Sequence, residues 1–244
     1  MKNIKRNKPF YKQFLRLKQN IQNRSKLFTF KKQKWIKFQQ NLKKQLKKYK
    51  RFKIKDQFQI SASKFASRGN SFQNKFKNNL YERKIFSLFY GKLKRKYLKT
   101  YIIKLIYIKN YNSLGLINSS YSVLKLFESR LDTVLYRANF STSIKESSQL
   151  ILNGHVLVNK INIKIKSFII KPTDLIEIGF NKKVRTLIKQ KLNRSNFWPT
   201  PPKYLLINYK TLQIIFMYTK NSNLMPVFNS YLNVNSIIAG IKKS

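Results

Sequence analysis

The chain of 244 residues carries 53 Lys+Arg against 7 Asp+Glu, a formal net charge of +46. Charge at that density opposes a compact free state and calls for a polyanionic partner. With no cysteine and one histidine, His155, the sequence excludes a disulfide scaffold, a thiol nucleophile and cysteine-ligated zinc or iron–sulfur sites, and its few acids leave little scope for the carboxylate sets of hydrolases and transferases.

No acid occurs before Asp56. Residues 1–34 read as a basic arm in which Pro9 breaks any early helix, disordered when free and ordered on a polyanion. Over 35–50, Trp35, Phe38, Leu42, Leu46 and Tyr49 form one apolar stripe at helical spacing, with Lys43, Lys44, Lys47 and Lys48 on the other faces. Such a helix can pack its stripe on a neighbour and offer its lysines to phosphate. A second helical region spans 79–108, with Gly91 separating two helices, and 109–120 reads as a loop.

The pattern sharpens from 123 to 189. Leu124, Phe127, Leu131, Val134, Leu135 and Ala138 recur at helical spacing and predict one helix that stops near Asn139, a residue that tolerates a left-handed cap. Ser143 and Glu146 fit a capping box for a second helix, which carries Leu150 and Ile151 on its apolar face and ends at Gly154. His155–Asn159 alternates as a strand, Asn159 and Lys160 make a tight turn, and Ile161–Ile165 returns. A turn over Lys171–Asp174 leads to a last strand at Leu175–Gly179. Beyond it, Tyr204–Asn208 and Leu212–Met217 predict a hairpin entered through Pro199, Pro201 and Pro202. Ser236–Lys243 has the pattern of a short helix.

Several of these residues carry a resemblance. Glu128-Ser129-Arg130-Leu131-Asp132, Tyr136-Arg137, Gln149-Leu150, Gly154-His155-Val156-Leu157-Val158-Asn159 and Lys171-Pro172 stand in one ungapped register. The run resembles the RNA-binding domain of the universal small-subunit ribosomal protein S-four family. Leu80–Lys84 and Phe89-Tyr90-Gly91 resemble the family's segment before that domain. Asn196–Pro199, Tyr204-Leu205 and Ile237-Ile238 resemble its C-terminal segment. The chain departs from the family where Ile144 and Ser148 replace frequent basic residues, where Lys160 and Thr173 replace turn glycines, and in the longer loop at 109–120. The zinc-ligating cysteines of some relatives are absent, and the first 60 residues match nothing in the family.

The resemblance implies an α+β fold. A helical rRNA-binding domain at 56–122 and 190–244 would carry an inserted helix-helix-β-hairpin RNA-binding domain at 123–189, with 1–55 as a basic arm bearing the amphipathic helix. It implies a structural, non-catalytic component of the small ribosomal subunit, without cofactor or metal. Such a component binds folded small-subunit rRNA at a helix junction early in assembly. It touches neighbouring small-subunit ribosomal proteins and lies near mRNA where the message enters. Affinity would come from counterion release along phosphates, and specificity from RNA shape and unpaired bases. The expected RNA-binding residues are Arg130, Arg137, Lys145, Gln149, Asn153 and His155 in the small domain. Arg68, Arg83, Lys84, Lys92, Lys94, Arg95 and Lys96 are those of the helical part. Asp132 reads as structural, since an acid on that face would repel phosphate.

Two other classes compete. An RNA pseudouridine synthase can share the small domain but needs a catalytic Asp in a separate larger domain. Asp132 lies inside the motif, so only Asp56 and Asp174 remain. The other is a non-ribosomal basic RNA chaperone or membrane-surface binder. No membrane partner is expected: the most apolar stretch, Tyr101–Ile108, is interrupted by Lys104 and falls far short of the ~20 residues of a spanning helix. The N-terminus lacks the apolar run of a secretory signal and the Arg/Ser-rich character of a transit peptide. Residues with AT-rich codons (Phe, Tyr, Ile, Asn, Lys) far outnumber those with GC-rich codons (Gly, Ala, Arg, Pro). The expectation is an organelle-encoded protein of the mitochondrial matrix, with the plastid as alternative.

Overall fold

The computed structural model describes residues 12–21, 25–51, 72–111, 119–193, 201–217, 234–235 and 237–238. The chain divides into two compact units, Met1–Phe89 with Val227–Gly240, and Tyr90–Pro226 with Ile241–Ser244.

In the first unit, α1 (Lys12–Leu17) precedes a 3-10 turn (Ser25–Phe28), α2 (Gln33–Arg51) and α3 (Phe72–Phe89). Within the expected basic arm, Phe14, Leu17, Ile21 and Leu27 are all buried. Those side chains are lost among lysines in the linear pattern, yet burying them removes apolar surface from water. On α2 the expected stripe is buried at Trp35, Phe38 and Leu42; the side chains of Leu46 and Tyr49 lie outside the described residues. Phe30 packs on the Trp35 ring at 4.8 Å between centroids, and Phe38 meets it edge-on at 5.8 Å. Gln39 Nε2 donates to the Leu27 carbonyl at 3.1 Å and ties α2 to the 3-10 turn. The Tyr81 hydroxyl of α3 donates to the carbonyl of Leu17 at 2.7 Å.

The second unit begins at the turn around Gly91, where the expected break between helices occurs. Gly91 has φ +80°, and a Cβ there would lie 3.3 Å from Ile144 Cγ2. After α4 (Arg95–Tyr111) come α5 (Ser119–Glu128), α6 (Leu131–Arg137) and α7 (Ile144–Leu152). The single helix expected across 123–138 is two. Arg130 is extended (φ −73°, ψ 138°) and forms an isolated bridge to Ile169. Leu131 N donates to the Phe168 carbonyl at 2.9 Å and Ile170 N to the Ser129 carbonyl at 2.8 Å. The loop at 168–170 thus takes the backbone groups that a continuous helix would satisfy internally. The apolar spacing survives the break, which is why it was invisible in the pattern.

The caps behave largely as the residues dictate. Asn139 takes φ 60°. Ser143 Oγ accepts from Glu146 N at 3.3 Å. The reciprocal bond differs from a capping box: the Glu146 carboxylate reaches one residue further back, to Thr142 N at 2.8 Å and Thr142 Oγ1 at 2.7 Å.

Five antiparallel strands follow: β1 (Val156–Val158), β2 (Ile161–Asn162), β3 (Leu175–Ile178), β4 (Leu205–Asn208) and β5 (Gln213–Phe216), in the order β2-β1-β3-β5-β4. The returning strand is shorter than the Ile161–Ile165 expected. The C-terminal hairpin, grouped by sequence with the helical part, pairs with β3 at Leu175↔Ile215 and Ile176↔Ile214. Helix α8 (Lys182–Asn193), which the sequence reading did not anticipate, buries Ile188 and Leu192. These join Leu131, Val134, Leu135, Ile151, Val156, Val158, Ile176, Ile178, Ile214 and Phe216 in one core. The alternation of buried Val156, Val158, Ile176 and Ile178 with half-exposed Leu157 and Glu177 is the period of two that covers one sheet face.

Asn159 and Lys160 both have positive φ, 50° and 68°, as a two-residue type I′ turn requires, and in the turn after Pro172 Thr173 alone has positive φ, at 73°. Their conformations are held from outside. Asn159 Nδ2 donates to Asp174 Oδ1 at 2.9 Å, Asn159 Oδ1 accepts from Leu175 N at 3.0 Å, and Asp174 Oδ2 accepts from Lys171 N at 2.8 Å.

Candidate nucleic-acid interface

The two arginines of the motif are internal. Arg137 reaches Glu128 at two points, Nε to Oε2 at 2.9 Å and Nη2 to Oε1 at 2.8 Å. Tyr90 donates to Glu128 Oε1 and Tyr204 to Glu128 Oε2, each at 2.6 Å. Burial would raise the Glu128 carboxyl, but the Arg137 guanidinium and the hydrogen bonds from Arg137, Tyr204 and Tyr90 hold it below the usual carboxylate range. Arg130, 5 % exposed, pairs in the same two-point manner with Asp132, 2 % exposed, at 3.0 and 2.8 Å. Its Nη1 donates to the Tyr97 hydroxyl at 3.1 Å, and its guanidinium carbon lies 5.8 Å from the Tyr97 ring centre. Both guanidiniums are therefore committed to carboxylates inside the unit. They shape the surface without lying on it.

The surface itself is α7. Its inner face buries Ile144, Ser147 and Ile151, so the residues one turn apart on the opposite side, Lys145, Gln149 and Asn153, are exposed in a row that runs into the turn at Gly154. His155 follows, half-buried. Gly154 has φ +72°, and a Cβ there would lie 3.0 Å from Asn162 Nδ2 and 3.5 Å from Lys164 Cε. This close approach brings exposed Lys164 beside the end of the α7 row, an association that sequence reasoning missed. Its signal was a lysine two residues past the short returning strand.

Lys92, Lys94, Arg95 and Lys96 are exposed around the start of α4. The first turn of that helix holds Arg95 and Lys96 and no acid. Cations there oppose the helix dipole, a cost that nearby phosphate relieves. In the other unit Lys84 is exposed and Arg83 half-buried on α3. Arg68 lies outside the described residues.

The five acids of the second unit all have partners within it. Besides Glu128 and Asp132, Glu146 is paired with Lys191, Asp174 is held by Asn159, and Glu177 accepts from Gln213 Nε2 at 2.6 Å. Among the described residues no group of three or more His, Asp or Glu is placed to hold a metal ion, and no helix is long and apolar enough to cross a membrane. Carboxylates consumed by internal partners leave an outward field set by lysine, the arrangement suited to a phosphate backbone.

Comparison with known proteins agrees in kind. The S4 domain family matches residues 129–176. The small ribosomal subunit protein uS4 of Kosmotoga olearia is 40% identical over 81 residues, 33% of this chain and 39% of that protein. The uS4m protein of Reclinomonas americana is 29% identical over 185 residues, covering 73% of this chain and 70% of its own length. The uS4c protein of Eimeria tenella is 30% identical over 200 residues, covering 76% of this chain and 96% of its own length.

Proposed function

This chain belongs to the uS4 family of small ribosomal subunit proteins, and from that premise we propose that it is a structural, non-catalytic component of the small subunit that binds small-subunit rRNA. The observation that carries the reading is the joint one: similarity over nearly the whole length of a ribosomal relative, and a unit in which five of the acids are bound internally while Lys145, Gln149, Asn153 and Lys164 face outward.

The lysines replace counterions along phosphates, and exposed polar groups such as Gln149 and Asn153 read RNA shape and unpaired bases. Lys84, Lys92, Lys94, Arg95 and Lys96 add phosphate contacts from the helical segments. The buried arginines support this surface rather than touch RNA. Neighbouring ribosomal proteins and mRNA near its point of entrance complete the partners. The site of action is the mitochondrial small subunit, supported by the AT-rich composition and by the replacement of turn glycines by Lys160 and Thr173.

The test is sedimentation of organelle extracts through a high-salt sucrose gradient, with mitochondria and plastids fractionated separately. The protein should co-migrate with the mitochondrial small subunit at salt that strips loosely bound basic proteins. Migration near the top of the gradient would refute the ribosomal role, and co-migration with the plastid subunit would overturn the organelle.

A further inference from the structure

Phe180 is 85% exposed, the most exposed large apolar side chain among the described residues. It lies beyond the matched S4 domain, which ends at residue 176, and outside every group of residues expected to bind RNA. Its place in the chain leaves it no structural use. Asn181 caps α8: its Oδ1 accepts from Lys183 N at 3.1 Å, and its carbonyl accepts from Arg185 N at 3.1 Å. An apolar residue just before a cap ordinarily packs on the fourth helical residue. Here that residue is Arg185, whose Nη2 donates instead to the Thr211 carbonyl at 2.7 Å. The ring has no staple partner.

Its backbone is nonetheless fixed. Gly179 N donates to the His155 carbonyl at 2.8 Å, extending the β1–β3 pairing by one step. Because those strands are antiparallel, Phe180 stands at the same end of the sheet as Asn153, Gly154 and His155. The residues that follow it, Asn181, Lys182 and Lys183, are all exposed. A flat apolar ring among cations does not fit an apolar protein pocket, which would have to desolvate Lys182 and Lys183. It does fit a ligand that combines a flat unsaturated face with negative charge on either side, namely an unpaired nucleotide.

We propose that Phe180 is a stacking platform for an unpaired base of small-subunit rRNA, with Lys182 and Lys183 on the adjoining phosphates. The inference rests on the rRNA-binding role proposed above. It adds a residue and a mode of contact to that role: base recognition by stacking at the end of the sheet.

The experiment uses the full chain and small-subunit rRNA of the organism that encodes it, with bulk tRNA as the comparison ligand. Wild type, Phe180→Leu and Phe180→Trp are titrated at several salt concentrations. Irradiation at 254 nm followed by mass spectrometry maps the crosslinked residue. Phe180→Leu should bind rRNA roughly tenfold more weakly, with an unchanged slope of log affinity against log salt. Phe180→Trp should retain wild-type affinity, and the crosslink should fall on Phe180. Lys182→Ala should instead flatten the slope by about 0.7–0.9. The ring is solvent-exposed, so the Leu variant keeps the fold, which circular dichroism checks. If wild type prefers rRNA and Phe180→Leu binds it equally well, stacking is overturned while the ribosomal role stands. Equal losses for Leu and Trp would also overturn it. A wild type with no preference for rRNA over tRNA would remove the ribosomal reading, and the proposal with it.

Discussion

Glu128 closes α5 and Arg137 closes α6, and the two side chains meet in a two-point ion pair with side chains 5% and 11% exposed. Tyr90 and Tyr204, from opposite ends of the second unit's sequence, donate to the same carboxylate. One acid thus joins the segment before the small domain, the helix pair and the start of the C-terminal hairpin. It explains why a strongly basic chain keeps an acid and an arginine in its motif for internal use.

Glu128→Gln keeps the volume but removes the carboxylate charge that the Arg137 guanidinium faces. The expected loss is about 3–5 kcal/mol, a large share of the ~5–15 kcal/mol typical of a domain. Urea unfolding measures it. A further change of Arg137→Met in the same chain should recover much of the loss, because the guanidinium charge that faced the lost carboxylate is gone. The ionised Glu128 contributes stability above the ordinary carboxylate range, and that contribution disappears as pH falls through its lowered folded value.

Arg130 and Lys145 should separate stability from binding. Arg130→Ala strands Asp132 at 2% exposure and should cost about 3 kcal/mol or more. Lys145→Ala, on the exposed face of α7, should change stability by less than ~0.5 kcal/mol. The same change should weaken rRNA binding and lower its salt slope by about 0.7–0.9. Paired thermal melts and salt titrations decide. A large stability loss for Lys145→Ala with an unaltered slope would contradict the assignment.

In the first unit, Glu82 Oε2 is buried without a hydrogen-bond partner, and burial pushes its carboxyl up to about 7. A raised folded value means the native state holds the extra proton, so stability is greatest below the ordinary value of 4.5 and falls as pH rises through about 7. The fall is on the order of 1 kcal/mol once solvent at this half-buried position is allowed for. Glu82→Gln should abolish it, which melting temperatures between pH 5 and 8 would reveal.

Thr173 is a β-branched residue at φ 73°, and its N–H donates to the Phe216 carbonyl at 2.8 Å. Thr173→Gly should relieve strain by about 1–2 kcal/mol and lose part of that to the freer unfolded chain, for a net gain of roughly 0.5–1 kcal/mol. Lys160→Gly, at an unbranched residue, should gain less. Chemical denaturation of the two variants side by side tests the order, and a loss of stability at Thr173→Gly would reverse it.

Local chemistry made much of the second unit legible. Asn139, Gly91 and Gly154 have the backbone freedom that helix ends need, and they sit where helices end. The alternation at Val156–Val158 and Leu175–Ile178 marked strands because one face is buried. The break at Arg130 was not legible, because Leu131, Val134 and Leu135 stay in helical phase across it. Helix α8 was hidden by its lysines, with only Ile188 and Leu192 on its buried side. Of the expected contacts in the small domain, Lys145, Gln149 and Asn153 are exposed, whereas Arg130 and Arg137 are turned inward.

The sequence by itself determined the charge, and with it the class of partner: 53 cations against 7 acids require a polyanion whatever the fold. It also determined the turns and caps, since these depend on residues within a few positions of one another. Only the tertiary structure decided which cations reach the partner. Arg130 and Lys145 carry the same charge, and what separates them is a carboxylate beside one and solvent around the other. A guanidinium desolvated against an acid is held there by low-dielectric pairing, and that pairing depends on segments brought together in space rather than on spacing along the chain.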